Sequence, residues 1–542
     1  MPEFDVVVAG AGAAGMTAAL TTARSGLSTV VLEKAAVFGG STARSGAGIW
    51  VPNNDVVLAA GVPDTFAKAD AYMAAVVGPE VPAARRQAFL TAGPRAIAFI
   101  QRWSPLRFRW MEAYPDYYPE LAGGMPNGRS IEPDALDANI LGDELANLNP
   151  SYIPTPAGTV IYDVDYRWLA LIARHPRGVA VAGDMVLRYL RLAAQGKNPI
   201  TMGQALAGGL RAGLLAADVP VNLKTPLVDL YVENGRVAGV IALQDQKETL
   251  FRARRGVVIG SGGFEHNERM RKQFQAEPIG TDWTVGASSN TGDGIEAGER
   301  AGAGLALMDD SWWGPMIPLP EGPYFCLSER TLPGTVFVNA AGKRFVNEAA
   351  PYSDVVHVMY QGNHFPAWMI TDQDYRNRYL FKETAPLLPY PQTWYDSGAL
   401  VKDWTITGLA SRIGVPAAAL RATIDRVNAQ ARAGRDTDFH RGDSAYDAYF
   451  ADPTNTPNPC LAPIWLPPFY AFKIVPGDLG TKGGLTTDTR SRVVRPDGSV
   501  IPGLYAAGNA SAAVMGHSYA GAGSTLGPAM TFGYVAGTDL AF

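Results

Sequence analysis

The sequence predicts an α/β protein: a discontinuous Rossmann-like domain that carries an inserted α+β domain. Two observations predict the first part. Asp5-Val6-Val7-Val8-Ala9 has the apolar run of a buried strand and passes directly into Gly10-Ala11-Gly12-Ala13-Ala14-Gly15. A helical stretch and a second strand ending at Glu33 follow. The third observation concerns the insertion. The stretch 298–480 is richer in Pro, Trp and Tyr, and it contains helical patterns such as 417–430 with apolar Ala419, Leu420, Ile424 and Val427.

The opening strand, glycine turn, helix and strand make a dinucleotide site. Gly10 permits the tight turn, Gly12 lets the backbone approach a pyrophosphate, and Gly15 lets helix and strand pack closely. The helix N-terminus offers free N–H groups and a positive dipole end to the phosphates. Glu33 falls roughly 20 residues on, where a carboxylate accepts ribose hydroxyls and repels the extra phosphate of NADP.

The next segment favours FAD. Phe38-Gly39-Gly40-Ser41-Thr42-Ala43-Arg44-Ser45-Gly46-Ala47-Gly48-Ile49-Trp50 is dense in small residues, so backbone can pass close to a flat ring system. Two later strands also end in glycine: Gly256 to Phe264, through Gly260-Ser261-Gly262-Gly263, and Gly503 to Asn509, through Gly508. Three such segments suit a long cofactor lying across one sheet, and the pattern resembles flavoproteins related to fumarate reductase. The domain is therefore expected to be a glutathione-reductase-like FAD-binding domain over 1–297 plus 481–542. Residues expected at the cofactor are Gly10, Gly12, Ala14, Gly15, Glu33, Lys34, Gly40, Ser41, Thr42, Ser45, Gly46, Gly262, Gly263, Asp293, Gly508, Asn509 and Leu526. Relatives with covalent flavin carry a His just after the glycine-rich stretch. Ser41-Thr42-Ala43 stands there, so the expected FAD is non-covalent.

Composition narrows the rest. A chain of 542 residues has room for two or more cores, and a net charge of −5 gives no reason to expect nucleic acid. Two cysteines, Cys326 and Cys460, make neither a disulfide framework nor a Cys-based metal site and suit a reducing compartment. Met1-Pro2-Glu3-Phe4 runs into the first strand without the basic and apolar regions of a secretory signal, and no apolar run reaches the roughly 20 residues of a membrane span. Asn234-Gly235 between two apolar runs predicts a hairpin, and Pro496-Asp497-Gly498 a second turn.

Several segments, in order along nearly the whole chain, resemble the 3-ketosteroid Δ1-dehydrogenases. They are Gly39 to Gly46 with Trp50-Val51-Pro52; Tyr114-Pro115-Asp116-Tyr117-Tyr118; and Gly342-Lys343-Arg344-Phe345-Val346-Asn347-Glu348 with Pro351-Tyr352. Asp478-Leu479-Gly480-Thr481-Lys482-Gly483-Gly484-Leu485 and Gly516-His517-Ser518-Tyr519-Ala520-Gly521-Ala522-Gly523 complete the set. The last two are the most specific. The resemblance implies a 3-ketosteroid substrate, loss of a proton from carbon 2 and transfer of a hydride from carbon 1 to flavin N5. It implies Tyr519 and the Gly523 N–H as donors to the developing enolate oxygen, Tyr352 as base and Tyr117 hydrogen-bonded to that base. It puts Tyr114, Trp313 and Ser524 in the substrate pocket and 298–480 as a catalytic cap. Ala520 and Ala522 replace prolines common in the family, which is expected to loosen that loop.

His517 alternates away from the substrate if the segment is extended, and His175, His266, His357, His364 and His440 show no ligand spacing, so no catalytic metal is expected. No Cys-x-x-Cys-His and no cluster ligands are present, so electrons are expected to leave to an external acceptor, quinone-like or other. Within an apparent insertion at about 163–198, the stretch 166–197 carries Arg167, Arg174, Arg177, Arg188, Arg191 and Lys197 against the single acid Asp184, interleaved with Trp168, Leu187, Leu190 and other apolar residues. Two readings stay open: a peripheral element on an anionic membrane, or a helical excursion packed on protein or on another subunit. The expected location is cytoplasmic, with any membrane contact at the inner face. Alternative activities are dehydrogenation at carbons 4 and 5, or a fumarate-reductase-like alkene reductase using Arg330 or Arg344 as cationic groups.

Overall fold

The structure, a computed structural model, describes residues 2–153 and 155–542; Met1, where the reading of the N-terminus begins, and Pro154 lie outside the described residues. Strand β1 (Glu3–Ala9), helix α1 (Ala13–Arg24) and strand β2 (Thr29–Leu32) form the opening unit. Val6, Val7 and Val8 are wholly buried, as befits a parallel strand covered on both faces. Helix α2 (Pro176–Ala193) lies in the basic segment, and the long strand β3 (Lys247–Ile259) returns to the far side of β1. β1 is parallel to both neighbours, with Val7 opposite Val30 and Val257.

A second, antiparallel sheet supplies the cap. Strand β4 (Ser311–Leu319) pairs with Gly322–Phe325; helix α3 (Tyr352–Gln361) crosses near it; strand β5 (Phe469–Thr481) joins β4 to Ala367–Asp372. Phe337, Met369 and Phe472 build its core with Trp313. After β5 the chain returns to the first sheet as strand β6 (Val500–Ala506), parallel to β3, and ends in helix α4 (Leu526–Ala541) packed along α1. Asn234 and Gly235 have φ of 51° and 76° between strands Leu227–Glu233 and Arg236–Gln244, the two left-handed residues that a tight hairpin turn demands. No helix among the described residues is long and apolar enough to cross a membrane.

The loop carrying Tyr117 is held by a buried ionic knot. Arg129 Nε lies 3.0 Å from Asp64 Oδ1, and its guanidinium also pairs with Asp116; all three side chains are fully buried. Asp116 further accepts Trp50 Nε1–H at 2.9 Å and Met125 N–H at 3.1 Å. Burial raises the Asp116 carboxyl to about 6 even though Arg129 and Trp50 pull it down. Removing the cation leaves two buried carboxylates uncompensated. Arg129→Met is therefore expected to destabilise the protein by about 3–5 kcal/mol, read from urea unfolding.

Candidate active site

The end of β1 is shaped by contact between main chains. Gly10 has φ of 106°, and a Cβ there would strike Gly260; a Cβ on Gly15 would strike the Gly10 carbonyl. A Cβ on Gly12, in contrast, would enter open space, with nothing nearer than Thr42 Oγ1 at 3.8 Å. Gly12 thus faces a cavity of about 1080 Å³ that runs from Glu33 and Lys34 to the cap. Glu33 accepts Ala11 N–H and Ala35 N–H, both at 2.8 Å, and still presents its carboxylate to that cavity. Lys34 pairs with Asp293 at 2.8 Å beside it. Thr42 Oγ1 accepts Ala13 N–H, and Ser41 Oγ accepts Ala287 N–H and Asn290 Nδ2–H. An acidic ribose acceptor, a bare glycine floor and a helix N-terminus fit an extended dinucleotide.

Of the expected cofactor residues, Gly10, Gly12, Ala14, Glu33, Lys34, Gly40, Ser41, Thr42, Ser45, Gly46, Gly262, Asp293, Gly508, Asn509 and Leu526 all line the cavity. Two do not. Gly15 acts only in helix–strand packing. Gly263 needs correction: it faces away, against Thr481 and Glu265, because Gly262 at φ of 78° turns the chain after β3.

The same cavity contains Tyr117, Tyr352, Tyr519, Gly523 and Tyr114. Tyr117 Oη–H donates to Tyr352 Oη at 2.8 Å. The Tyr519 ring centroid lies 5.1 Å from both the Tyr117 and the Tyr352 ring. Local backbone explains the meeting. Tyr117 N–H bonds to Ala520 O at 3.0 Å, so the Tyr117 and Tyr519 segments lie side by side. Tyr352 is the first residue of α3, after Pro351. The loop with Ala520 and Ala522 is tied by its carbonyls: Tyr72 Oη–H donates to Ala520 O at 2.6 Å, and Ser130 Oγ–H to Ala522 O at 2.7 Å. These bonds provide the restraint that prolines were expected to give. Gly523 has φ of 94°, and its N–H has no acceptor among the described residues.

Burial pushes all three phenols up: Tyr117 and Tyr352 well above the ordinary tyrosine value, Tyr519 in the same direction. That keeps Tyr519 protonated and able to donate. For Tyr352 the hydrogen bond from Tyr117 works in the opposite direction, favouring the phenolate, but burial outweighs it.

Two pocket assignments need correction. Trp313 is buried in the cap core, where its Nε1–H donates to Asp310 and its ring meets Tyr360; alternation along β4 turns Trp312, not Trp313, toward Tyr519. Ser524 is wholly buried, and its hydroxyl closes a turn with the Gly521 N–H and carbonyl. Residues not anticipated line the cavity instead, among them Tyr152, Asp163, Phe325, Leu327 and Phe450. The aromatic richness of 298–480 was the only signal for Phe325 and Phe450; Tyr152 and Asp163 gave none. Burial and neighbouring Asp165 lift the Asp163 carboxyl to about 7. Tyr118 turns away to Asp354 at 2.8 Å, and half-exposed His517 lies outside the cavity beside Glu80 and Asp309. Arg330 donates through Nη1 to the Glu348 and Ala350 carbonyls, while its buried Nε and Nη2 have no hydrogen-bond partner among the described residues; Arg344 pairs with Glu348 and Asp436.

Comparison with known proteins places this geometry in a class. The FAD-binding domain family matches residues 5–526. The chain is 53% identical over 553 residues to the 3-oxosteroid 1-dehydrogenase of Mycolicibacterium smegmatis, covering 99% of this chain and 97% of that protein. It is 35% identical to the 4-oxocyclohexanecarboxylate 2-dehydrogenase of Sinomonas cyclohexanicum, over 99% of this chain and 93% of that one. The 3-ketosteroid Δ1-dehydrogenase of Sterolibacterium denitrificans, solved with 1,4-androstadiene-3,17-dione, superposes with a TM-score of 0.95 at 38% identity, each chain fully covered. The protein is thus an FAD-dependent oxidoreductase. Within that class, the chain belongs to the family of the 3-oxosteroid 1-dehydrogenases.

If Tyr352 serves as base, as the resemblance implies, a phenol that burial keeps protonated gains its active form as pH rises. The logarithm of kcat/KM for a 3-ketosteroid is expected to climb with pH, about tenfold per unit, without levelling before the usual tyrosine value near 10. Asp163→Asn removes the competing titration near 7 and leaves the alkaline limb. A pH profile of both proteins checks this.

Proposed function

We propose that this protein desaturates 3-ketosteroids between carbons 1 and 2 of the A ring. The observation that carries the proposal is the Tyr117–Tyr352 hydrogen bond, set beside Tyr519 and an open Gly523 N–H in the cavity that also holds the dinucleotide cradle. Bound non-covalently along Gly10 to Gly15, Glu33, Ser41 to Gly46 and Gly508, FAD would supply the hydride acceptor.

The ketone α-proton is weakly acidic, so the charge moving onto the ketone oxygen must be met by donors already aimed at it. Tyr519 O–H and Gly523 N–H fill that role. Glycine serves there because the backbone is left-handed and because a Cβ would collide with Gly48. Tyr352 takes the carbon-2 proton, and Tyr117 stabilises its oxygen as charge develops. Tyr114, Phe325 and Phe450 present flat apolar surface to the rings of the substrate. The external electron acceptor is a separate molecule, quinone-like or other. A reductase role would need a cationic group in the cavity, and neither Arg330 nor Arg344 lines it.

Anaerobic addition of androst-4-ene-3,17-dione to the flavin-loaded protein is expected to bleach the flavin. Tyr519→Phe should slow bleaching about 10²–10³-fold, and Tyr352→Phe about 10²–10⁴-fold. A flavin that stays oxidised with steroid, yet is reoxidised after reduction by fumarate-like acids, would sink the reading.

Membrane contact through 166–197 is the finer part of the proposal. α2 exposes Val179, Val186, Leu187 and Leu190. Arg174, Arg177 and Arg188 pair with Asp452, Glu112 and Asp165, and Arg167 lies over the Trp168 and Tyr449 rings, which leaves Arg191 and Lys197 exposed. Tyr166, Leu169 and Ala170, just before α2, line the cavity, so such a surface adjoins the route of an apolar substrate. Flotation with anionic liposomes is expected to recover the protein, and Leu187→Asp with Leu190→Asp should cut recovery at least several-fold. Equal recovery of both proteins would refute it.

A further inference from the structure

Lys482 has no role in the chemistry above, and it is wholly buried. Its ammonium lies 2.9 Å from Asp310 Oδ2, donates to the Ser518 carbonyl at 3.0 Å and sits 4.8 Å from the centre of the Trp312 ring. Taking an ammonium and a carboxylate out of water costs several kcal/mol per ion, and such a pair is often no better for stability than packed apolar side chains. What distinguishes this pair is its place in the fold.

Ser518 immediately precedes Tyr519. On its other side, the Ala520 carbonyl is held by Tyr117 N–H and Tyr72 Oη–H. Tyr519 is therefore stretched between two anchors, and Lys482 is one of them. Trp312, whose face receives the ammonium, meets Tyr519 edge-on at 5.1 Å and donates its Nε1–H to Asn509 at 3.0 Å. The carboxylate end reaches the helix that begins with Tyr352. Asp310 Oδ1 lies 2.8 Å from His357 Nε2, and His357 is on α3, the helix that begins with Tyr352. Lys482 and His357 hold the Asp310 carboxyl down at about 2 against its burial. One chain of contacts, buried at Lys482 and Asp310, thus runs from Ser518 to His357 and spans the two elements that carry the enolate donor and the base.

We propose that Lys482 is a positioning residue: through Ser518, Trp312 and Asp310 it sets the Tyr519 hydroxyl against the ketone oxygen and in register with Tyr352. This rests on the roles given to Tyr519 and Tyr352 under the proposed function.

The test is a double-variant cycle of Lys482→Met and Tyr519→Phe in the flavin-loaded protein. It reads kcat, KM and the exchange of carbon-2 deuterium from a labelled 3-ketosteroid into solvent, the exchange being measured with reduced flavin so that no hydride can leave. Lys482→Met is expected to lower kcat and the exchange rate together, about 10–100-fold, with KM within about threefold and flavin content unchanged, because only a donor to the enolate is misplaced. The double variant should be no slower than Tyr519→Phe alone. Lys482→Met that keeps kcat within about twofold, or whose effect multiplies with that of Tyr519→Phe, overturns the inference while leaving the proposed function standing. If Tyr519→Phe itself keeps full activity, the underlying reading fails, and this one with it. Should Lys482→Met not retain flavin, the same cycle on Trp312→Leu decides, since that change leaves the ion pair intact and removes the ring between it and Tyr519.

Discussion

The cofactor half of the molecule depends on main chains that touch with no side chain between them. At the end of β1, Gly10 abuts Gly260, and Gly15 abuts the Gly10 carbonyl. Any Cβ would push the helix from the strand and tilt its free N–H groups away from a pyrophosphate. The same contact brings the end of β3 level with the end of β1, which is why segments more than two hundred residues apart share one cavity floor. Glu33, Ser41 and Asp293 acquire meaning only from that floor.

The cap faces the opposite constraint. A tetracyclic ketone needs a dry, apolar pocket, and a phenol in such a pocket holds its proton. In the proposed mechanism that is an advantage for Tyr519, whose task is to donate. For Tyr352 it is a cost, offset only in part by the hydroxyl of Tyr117. One environment favours the neutral phenol at both positions, and neighbouring hydroxyls oppose it at both: Tyr117 lowers Tyr352, while Tyr352 and Thr525 lower Tyr519. The buried Arg129 knot has the same character: charges placed inside the protein to hold the Tyr117 loop where solvent cannot loosen it.

The cofactor half was largely legible because its signals are local. Glycines at fixed spacing after an apolar strand and an acid at the second strand end carry their own reasons, and the Asn234-Gly235 hairpin can be read from a few residues. The cap was legible mainly by resemblance. Its errors come from quantities that are not local. Trp312 and Trp313 are adjacent in a strand, so one faces the site and the other the core, and only the pairing of β4 with β5 decides which. Ser524 and Gly263 were misplaced because turn geometry, not spacing, chose their direction. Asp163 reaches the cavity from the start of the insertion and Tyr152 from the loop before it, and no local pattern announces the course of either. Lys482 and Asp310, 172 positions apart, become one unit only after both domains are folded.

The Tyr117–Tyr352 bond joins residues 235 positions apart, one from the cofactor-binding part of the chain and one from the cap. The glycine cradle and the paired hydroxyls are thus built from stretches of chain far apart in sequence. In the proposed mechanism, holding the cofactor and having a base beside the substrate are therefore separate requirements, and a change that shifts one stretch against the other can spoil the second while sparing the first.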